Sequence, residues 1–358
     1  MKKSLPIILT IFLSLIIFYV PPSLAQQEKI KDGLSEEFYP NGALRAQRQF
    51  KKGLLNGTSK AFYENGKLMS ESRYSNDVLN GVQKIYYDFG ELQLVKEFKN
   101  GVLEGTSREY YANGKIKSEE TYSNDLLNGL SKYYYEDGTL KYTMIFKDGR
   151  LNGASKEYYE NGKLKSEVEY LDDQWHGLIK EYDEQGRLSA QWTYAKGEKN
   201  GPAQMYWPDG KIKWDALMKD DQINGTSRAY DEKGSKKMEA QFKDGMLNGM
   251  VREFYADGMS KSESFYKDDQ LNGPFKEYYT HGTLRLEREY KNGEETGISN
   301  EYYKNGMLWV SRILINDNKD GTLREYYDTG ELKQEWTFKG GIFEGVSKSF
   351  YTTGEVMS

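Results

Sequence analysis

The chain contains no cysteine. That excludes a disulfide framework, a thiolate metal site and a cysteine nucleophile. Histidine occurs only at His176 and His281, several repeats apart, so the two cannot share a site in a repetitive chain. There is no basic excess either. The 50 basic side chains are outnumbered by 55 acidic ones, for a net charge of -5, and nucleic acid would need a cationic face. Aliphatic residues are scarce beside 30 Tyr and 36 Gly. That balance suits thin sheets, whose side chains need an apolar body and a wet tip, rather than a thick core. Beyond Ala25 no apolar run is long enough to span a bilayer.

The segment 1–25 is of another kind. Lys2 and Lys3 precede an apolar run from Leu5 to Val20. Pro21 and Pro22 break it, and Ser23-Leu24-Ala25 has the small-residue pattern of a cleavage site. A secretory signal peptide over 1–25 is expected, with an uncleaved N-terminal anchor as the alternative. No Cys follows the run, which excludes a lipoprotein anchor. The remainder, 26–358, reads as one array, exported to the periplasm or the medium.

What is present in abundance is a period. Gly recurs at one fixed interval, at Gly33, Gly57, Gly81 and onward to Gly345, and a second Gly follows each one at a constant offset, from Gly42 to Gly354. These 14 units are each too small to fold alone and must bury their apolar faces on one another. Within a unit, two β-rich runs flank Asn-Gly or Asp-Gly at Gly42, Gly66, Gly114, Gly138, Gly162, Gly210, Gly258 and Gly306. That dipeptide is a strong hairpin signal and predicts a two-residue type I′ turn, with these glycines as structural turn residues. A two-residue loop pairs Glu64 with Lys67 and sets Lys60 opposite Glu71. It likewise sets Arg108 opposite Glu119, Lys156 opposite Glu167, Arg228 opposite Glu239, Arg252 opposite Glu263, Lys276 opposite Glu287 and Arg324 opposite Glu335. Seven pairs of opposite charge support the register more than they add stability.

Alternation puts Lys60, Phe62, Met69 and Glu71 on one face, read as solvated. The other face carries Ser59, Tyr63, Leu68, Ser70 and Tyr74 and reads as packed. Between units, Gly53, Asp77, Gly101, Asp125 and their successors alternate without error, so the true period is two units, a pair of hairpins. Both residue types tolerate left-handed backbone, which predicts a turn with positive φ. The expected fold is all-β: an elongated array of about 14 antiparallel β-hairpins in a twisted single-layer meander. Twenty-eight strands spaced by about 4.8 Å would span roughly 130 Å.

The stretches Tyr158-Tyr159-Glu160-Asn161-Gly162-Lys163-Leu164-Lys165-Ser166-Glu167 and Asp148-Gly149-Arg150-Leu151-Asn152-Gly153 resemble the MORN repeat variant. Chains of such units are grouped with the YwqK-type antitoxins of bacterial toxin–antitoxin systems. The resemblance covers the chain from about position 28 to its end and implies hairpin arrays used as interaction modules.

Neither histidine lies in a catalytic arrangement; each replaces the Asn before a repeat Gly. The chain is therefore read as non-enzymatic and without a cofactor. Asp77, Asp125, Asp173, Asp221, Asp269 and Asp317 line one edge, but each loop offers one or two carboxylates where calcium wants six to eight oxygens, so no metal is expected. Tryptophan is uneven. Trp192, Trp207 and Trp214 fall within two neighbouring units, and Trp and Tyr are favoured in binding hot spots. Trp192, Trp207, Trp214 and Tyr206 are the candidate partner-binding residues, with packing inside the sheet as the alternative. Three functions compete: an interaction scaffold of the cell envelope with a protein partner, an antitoxin or immunity protein that binds a toxin, and a binder of envelope glycan or a membrane surface.

Overall fold

The computed structural model describes residues 31–315, 320–344 and 347–357. The signal segment 1–25, Asp317 and Gly345 lie outside these residues. The described residues contain strands and turns and no helix. Thirty-two antiparallel strand segments form one open sheet. The falling and rising strands pair in chain order with their neighbours on either side, so the topology is the expected meander. Some rising strands are interrupted: Asn56 separates Leu54–Leu55 from Gly57–Phe62, and both pieces pair with the same neighbour, Leu44–Lys51.

The hairpin turns are not the type I′ turns expected from Asn-Gly. Gly66 N–H donates to Tyr63 O (2.9 Å), and Tyr63 N–H donates to Lys67 O (2.8 Å). Gly66 has φ +82°, while Glu64 and Asn65 keep negative φ. The loop therefore has three residues, a type I turn closed by a left-handed Gly. Asn65 contributes through its side chain, whose Oδ1 accepts from Lys67 N–H (3.0 Å). Asp137, Asp209 and Asp257 do the same for the residue two positions on. Gly42, Gly114, Gly138, Gly162, Gly210, Gly258 and Gly306 all have positive φ, so their role as turn residues stands while the turn type is corrected.

The longer loop shifts pairing by one residue, and a bulge restores it. Phe62 faces Leu68, but Ala61 faces Ser70 and Lys60 faces Glu71. Met69 is the extra residue. All seven charge pairs consequently sit in the expected register. Five close as ion pairs: Arg108–Glu119, Lys156–Glu167, Arg228–Glu239, Arg252–Glu263 and Arg324–Glu335. The bulge also corrects the faces at two positions. Leu68 joins Phe62 on the charged face. Residues at the Met69 position turn to the packed face, where Lys165 reaches Glu157 (2.8 Å).

The type I′ turns lie in the links instead. Asn76 and Asp77 both have positive φ (50° and 65°) between the paired residues Ser75 and Val78. The positive φ expected at the alternating Gly/Asp positions is found. From Asp77 to Gly293 each link is tied to the one before: Asp77 N–H donates to Leu55 O, and Gly101 N–H to Leu79 O. At the Asp links Oδ1 accepts a further bond, from Leu55 N–H to Asp77 and from Leu103 N–H to Asp125.

The core is thin and lies on one face. Its buried residues are small or slender, such as Ser72, Ser107, Ser131, Ala46, Ala203 and Ala240, with Tyr122, Phe146, Tyr194 and Met218 beside the links. The described repeat glycines, Gly33 to Gly321, all have positive φ. Gly57 has φ +114°, and a Cβ there would run into the Gln49 side chain.

Candidate functional site

The edge of the sheet formed by the hairpin turns carries a ladder. Tyr39 Oη donates to Phe62 O (2.8 Å), the backbone carbonyl at the corresponding turn of the next unit. Tyr63, Tyr87, Tyr111, Tyr135 and Tyr159 repeat the bond, each to the equivalent carbonyl one unit on. Tyr255, Tyr279, Tyr303 and Tyr327 resume it. Between them the positions are Asp183, Trp207 and Asp231. The two aspartates turn inward on their own loops, accepting from Arg187 N–H and Ser235 N–H. Trp207 Nε1 is buried and has no hydrogen-bond partner among the described residues. The ladder thus stops for three consecutive units. The turn edge of that stretch keeps a tie from Lys211 Nζ to Glu232 O (3.0 Å).

A second regularity fails in the same place. On the packed face six units pair a carboxylate on the rising strand with a cation at the bulge: Arg45–Glu37, Lys117–Glu109, Lys165–Glu157, Lys261–Glu253, Arg285–Glu277 and Lys333–Glu325. In the units of Gly201 and Gly225 the carboxylate positions hold Met205 and Ala229, while Lys213 and Lys237 remain. Neither lysine has an ion-pair partner among the described residues. In the unit of Gly177 the reverse holds, since Glu181 faces a bulge position occupied by Ser189. Lys141 also lacks the carboxylate, but it lies over the Tyr135 and Tyr142 rings (5.0 and 5.4 Å) between two units whose pairs are intact.

Tryptophan fills this stretch. Trp192 and Trp214 lie with ring centres 6.1 Å apart, tilted by 47°, over the buried Ala203, Ala216 and Met218. Lys199 Nζ sits 3.5 Å from the centre of the Trp192 ring, and Lys213 Nζ 4.5 Å from that of Trp207. Burial lowers the Lys199 pKa, which Glu181 and Asp221 partly offset. Trp192, Trp207 and Trp214 line one groove of about 760 Å³ with Met205, Met238, Lys213 and Lys237. A neighbouring groove of about 440 Å³ runs along the preceding units, past Trp175, Tyr170, Glu157 and Glu181.

The three tryptophans expected to act together are therefore brought together. They are half-buried, with one side in the sheet and the other in the groove. Tyr206 is not with them. It faces Ile212 on the charged face, where its Oη donates to Gln204 Oε1 (2.8 Å), because its position in the unit is that of Phe62. Sequence reasoning missed the lysines. The signal was there, in the replacement of Glu by Met205 and Ala229, but without the bulge Lys213 and Lys237 fall on the wrong face.

The remaining candidates have local roles. His176 pairs across the link with Glu169, and His281 stacks on Tyr279 with Nε2 3.0 Å from Lys304 O. The link carboxylates Asp77, Asp125, Asp173, Asp221 and Asp269 each accept a backbone N–H. No cluster of three or more metal-ligating side chains occurs among the described residues.

A family model, that of the MORN repeat variant, matches residues 31–52, 55–76, 79–100, 103–124, 127–148, 151–172, 247–268, 271–292 and 319–339, together more than half of the sequence. Its matches leave out 173–246, where the ladder stops, and 293–318, where Tyr303 keeps its rung. No curated protein matches the chain. Solved structures similar to it include crystal structures of TcdB2-TccC3-TEV and TcdB2-TccC3-Cdc42, at 11% and 10% identity over 92% and 90% of this chain. The chain spans about a quarter of their length (24% and 23%), and the TM-scores are 0.18 and 0.15. At such scores the likeness says nothing about this fold.

Proposed function

This chain belongs to the MORN repeat variant family, and from that premise we propose that it is a non-enzymatic interaction scaffold, exported to the cell envelope, that holds a protein partner on the units of Gly177, Gly201 and Gly225. One observation carries the reading: three tryptophans gather on one face of the run of units that, among the described residues, lacks both the turn-edge tyrosine rung and the packed-face ion pair at the bulge. Large aromatic side chains with one open side are what protein hot spots use. An array built only to hold itself together would keep its ties there. Export is supported by the basic start, the apolar run to Val20 and the Ser23-Leu24-Ala25 pattern.

Capture from envelope extract tests the reading. Tagged protein should retain a partner, and the double substitution Trp207→Ala and Trp214→Ala should abolish retention while the far-UV strand spectrum is kept. A folded double variant that still captures the partner would place the interaction elsewhere. Export is checked by the mass of the secreted chain, which should begin at Gln26.

A further inference from the structure

We propose that the groove of Trp192, Trp207 and Trp214 takes an acidic, extended peptide segment whose carboxylates pair with Lys213 and Lys237. The inference rests on the interaction-scaffold reading and adds to it the chemistry of the partner. In six units of this face a bulge cation is neutralised by the carboxylate of its own unit, as Lys165 is by Glu157 and Lys261 by Glu253, and Lys141, which has no such carboxylate, lies over two tyrosine rings. Lys213 and Lys237 are the two successive bulge lysines for which that carboxylate has been replaced, by Met205 and Ala229. Both are exposed, and both line the groove. Two ammonium groups lining one groove, one of them over the Trp207 ring and neither with a carboxylate from its own unit, make a site complementary to negative charge.

The site has limits that favour a discrete ligand over a charged surface. Glu181, which has no bulge cation in its own unit, flanks the tryptophans on one side, so a broad sheet of anionic charge would meet repulsion there. The two lysines are one unit apart, two strand spacings, or about 10 Å. In a polyproline II segment side chains three residues apart share a side and lie about 9 Å apart. Such a segment, lying along the array and across the strands, would present a carboxylate to each lysine and its apolar residues to Trp192 and Trp214. Aromatic-lined grooves are the usual receptors of that conformation.

Fluorescence anisotropy on the full mature chain tests this with a labelled peptide of three Glu-Pro-Pro triplets. The peptide should bind, and a Lys-Pro-Pro counterpart should not. The double substitution Lys213→Gln and Lys237→Gln should weaken binding at least tenfold with the strand spectrum unchanged. Lys117→Gln, which removes a paired lysine of the same face, should change it less than twofold. Equal binding by the double variant, or by the Lys peptide, overturns the proposal. So does a result in which phosphatidylglycerol vesicles bind through the two lysines and the peptide does not. If capture of an envelope partner needs Trp207 and Trp214 but is indifferent to the lysine double variant, the scaffold reading stands and this inference alone fails.

Discussion

Residues 31–172 and residues 173–246 are built from the same hairpin, and they are held together differently. Both stretches keep the three-residue turn, with Gly114 at φ +79° in the first and Gly210 at φ +86° in the second. Both keep the link ladder, through Asp125 N–H to Leu103 O in one and Asp221 N–H to Lys199 O in the other. They part at the side chains. The first stretch adds tyrosine rungs along the turn edge and ion pairs on the packed face. The second replaces them with tryptophan, aspartate and lysines that have no ion-pair partner among the described residues. Backbone geometry in this fold is thus carried by Gly and by Asn or Asp, and the ties between units are a separate layer that can be exchanged for a binding surface.

The largest effect should come from what the stretches share. Gly114→Val and Gly210→Val each force a β-branched residue into left-handed backbone and should cost more than about 1 kcal/mol. Hydrogen exchange should accelerate in the altered unit and its neighbours only, because coupling in an array runs between nearest neighbours. Uniform loosening from end to end would contradict that. Next are the rungs. Tyr111→Phe should cost about 0.5–1.5 kcal/mol, the worth of one hydrogen bond. Conversely, Asp183→Tyr with Asp231→Tyr should slow exchange in the units between Gly177 and Gly249. If protection there is unchanged, the missing rungs are not what distinguishes the stretch.

Alkaline pH should weaken both stretches as well. Burial, reinforced by the Glu157 carboxylate, pushes the Tyr142 phenol up to about 12, and burial, reinforced by Asp221, does the same for Tyr194. Unfolded tyrosine releases its proton near pH 10. The stability contributed by these phenols is therefore complete below about pH 10 and is lost as pH rises toward about 12. Urea midpoints should fall over that window, and Tyr142→Phe with Tyr194→Phe should flatten the fall. The smallest effect is Lys199→Leu, which restores the residue found at Leu103 and Leu151. It should raise stability by a few tenths of a kcal/mol, since the burial that lowers the Lys199 pKa outweighs its contact with Trp192. A loss beyond about 1 kcal/mol would show that the ring contact dominates.

Much of the fold could be read from spacing. A fixed period without insertion gives the meander, and opposite charges at Lys156 and Glu167 give the register, because both depend only on position along a strand. The turn type could not be read that way. Asn-Gly satisfies either a two-residue loop with both residues left-handed or a three-residue loop with Gly alone left-handed, and the choice rests on one hydrogen bond, from Tyr63 N–H to Lys67 O. That single residue of slip, undone at Met69, decided the sides of Leu68 and Met69 and hid Lys213 and Lys237 from the sequence. Trp192 and Trp214 lie beyond the bulge, so their shared face was legible. Tyr206 lies before it, on a rising strand whose alternation already set it with Gln204 on the charged face rather than beside the tryptophans.

The alternation of Asp and Gly in the links also restricts how such a chain can change length. An Asp link reaches back with two bonds, one from its N–H and one to its Oδ1, whereas a Gly link has only the first. Loss or gain of a single hairpin would set two links of one kind side by side and put every later link out of phase. Loss or gain of two hairpins together would leave the phase intact. Unequal recombination in a gene of this design is therefore quantised, and descendants of this array should differ from it by pairs of hairpins.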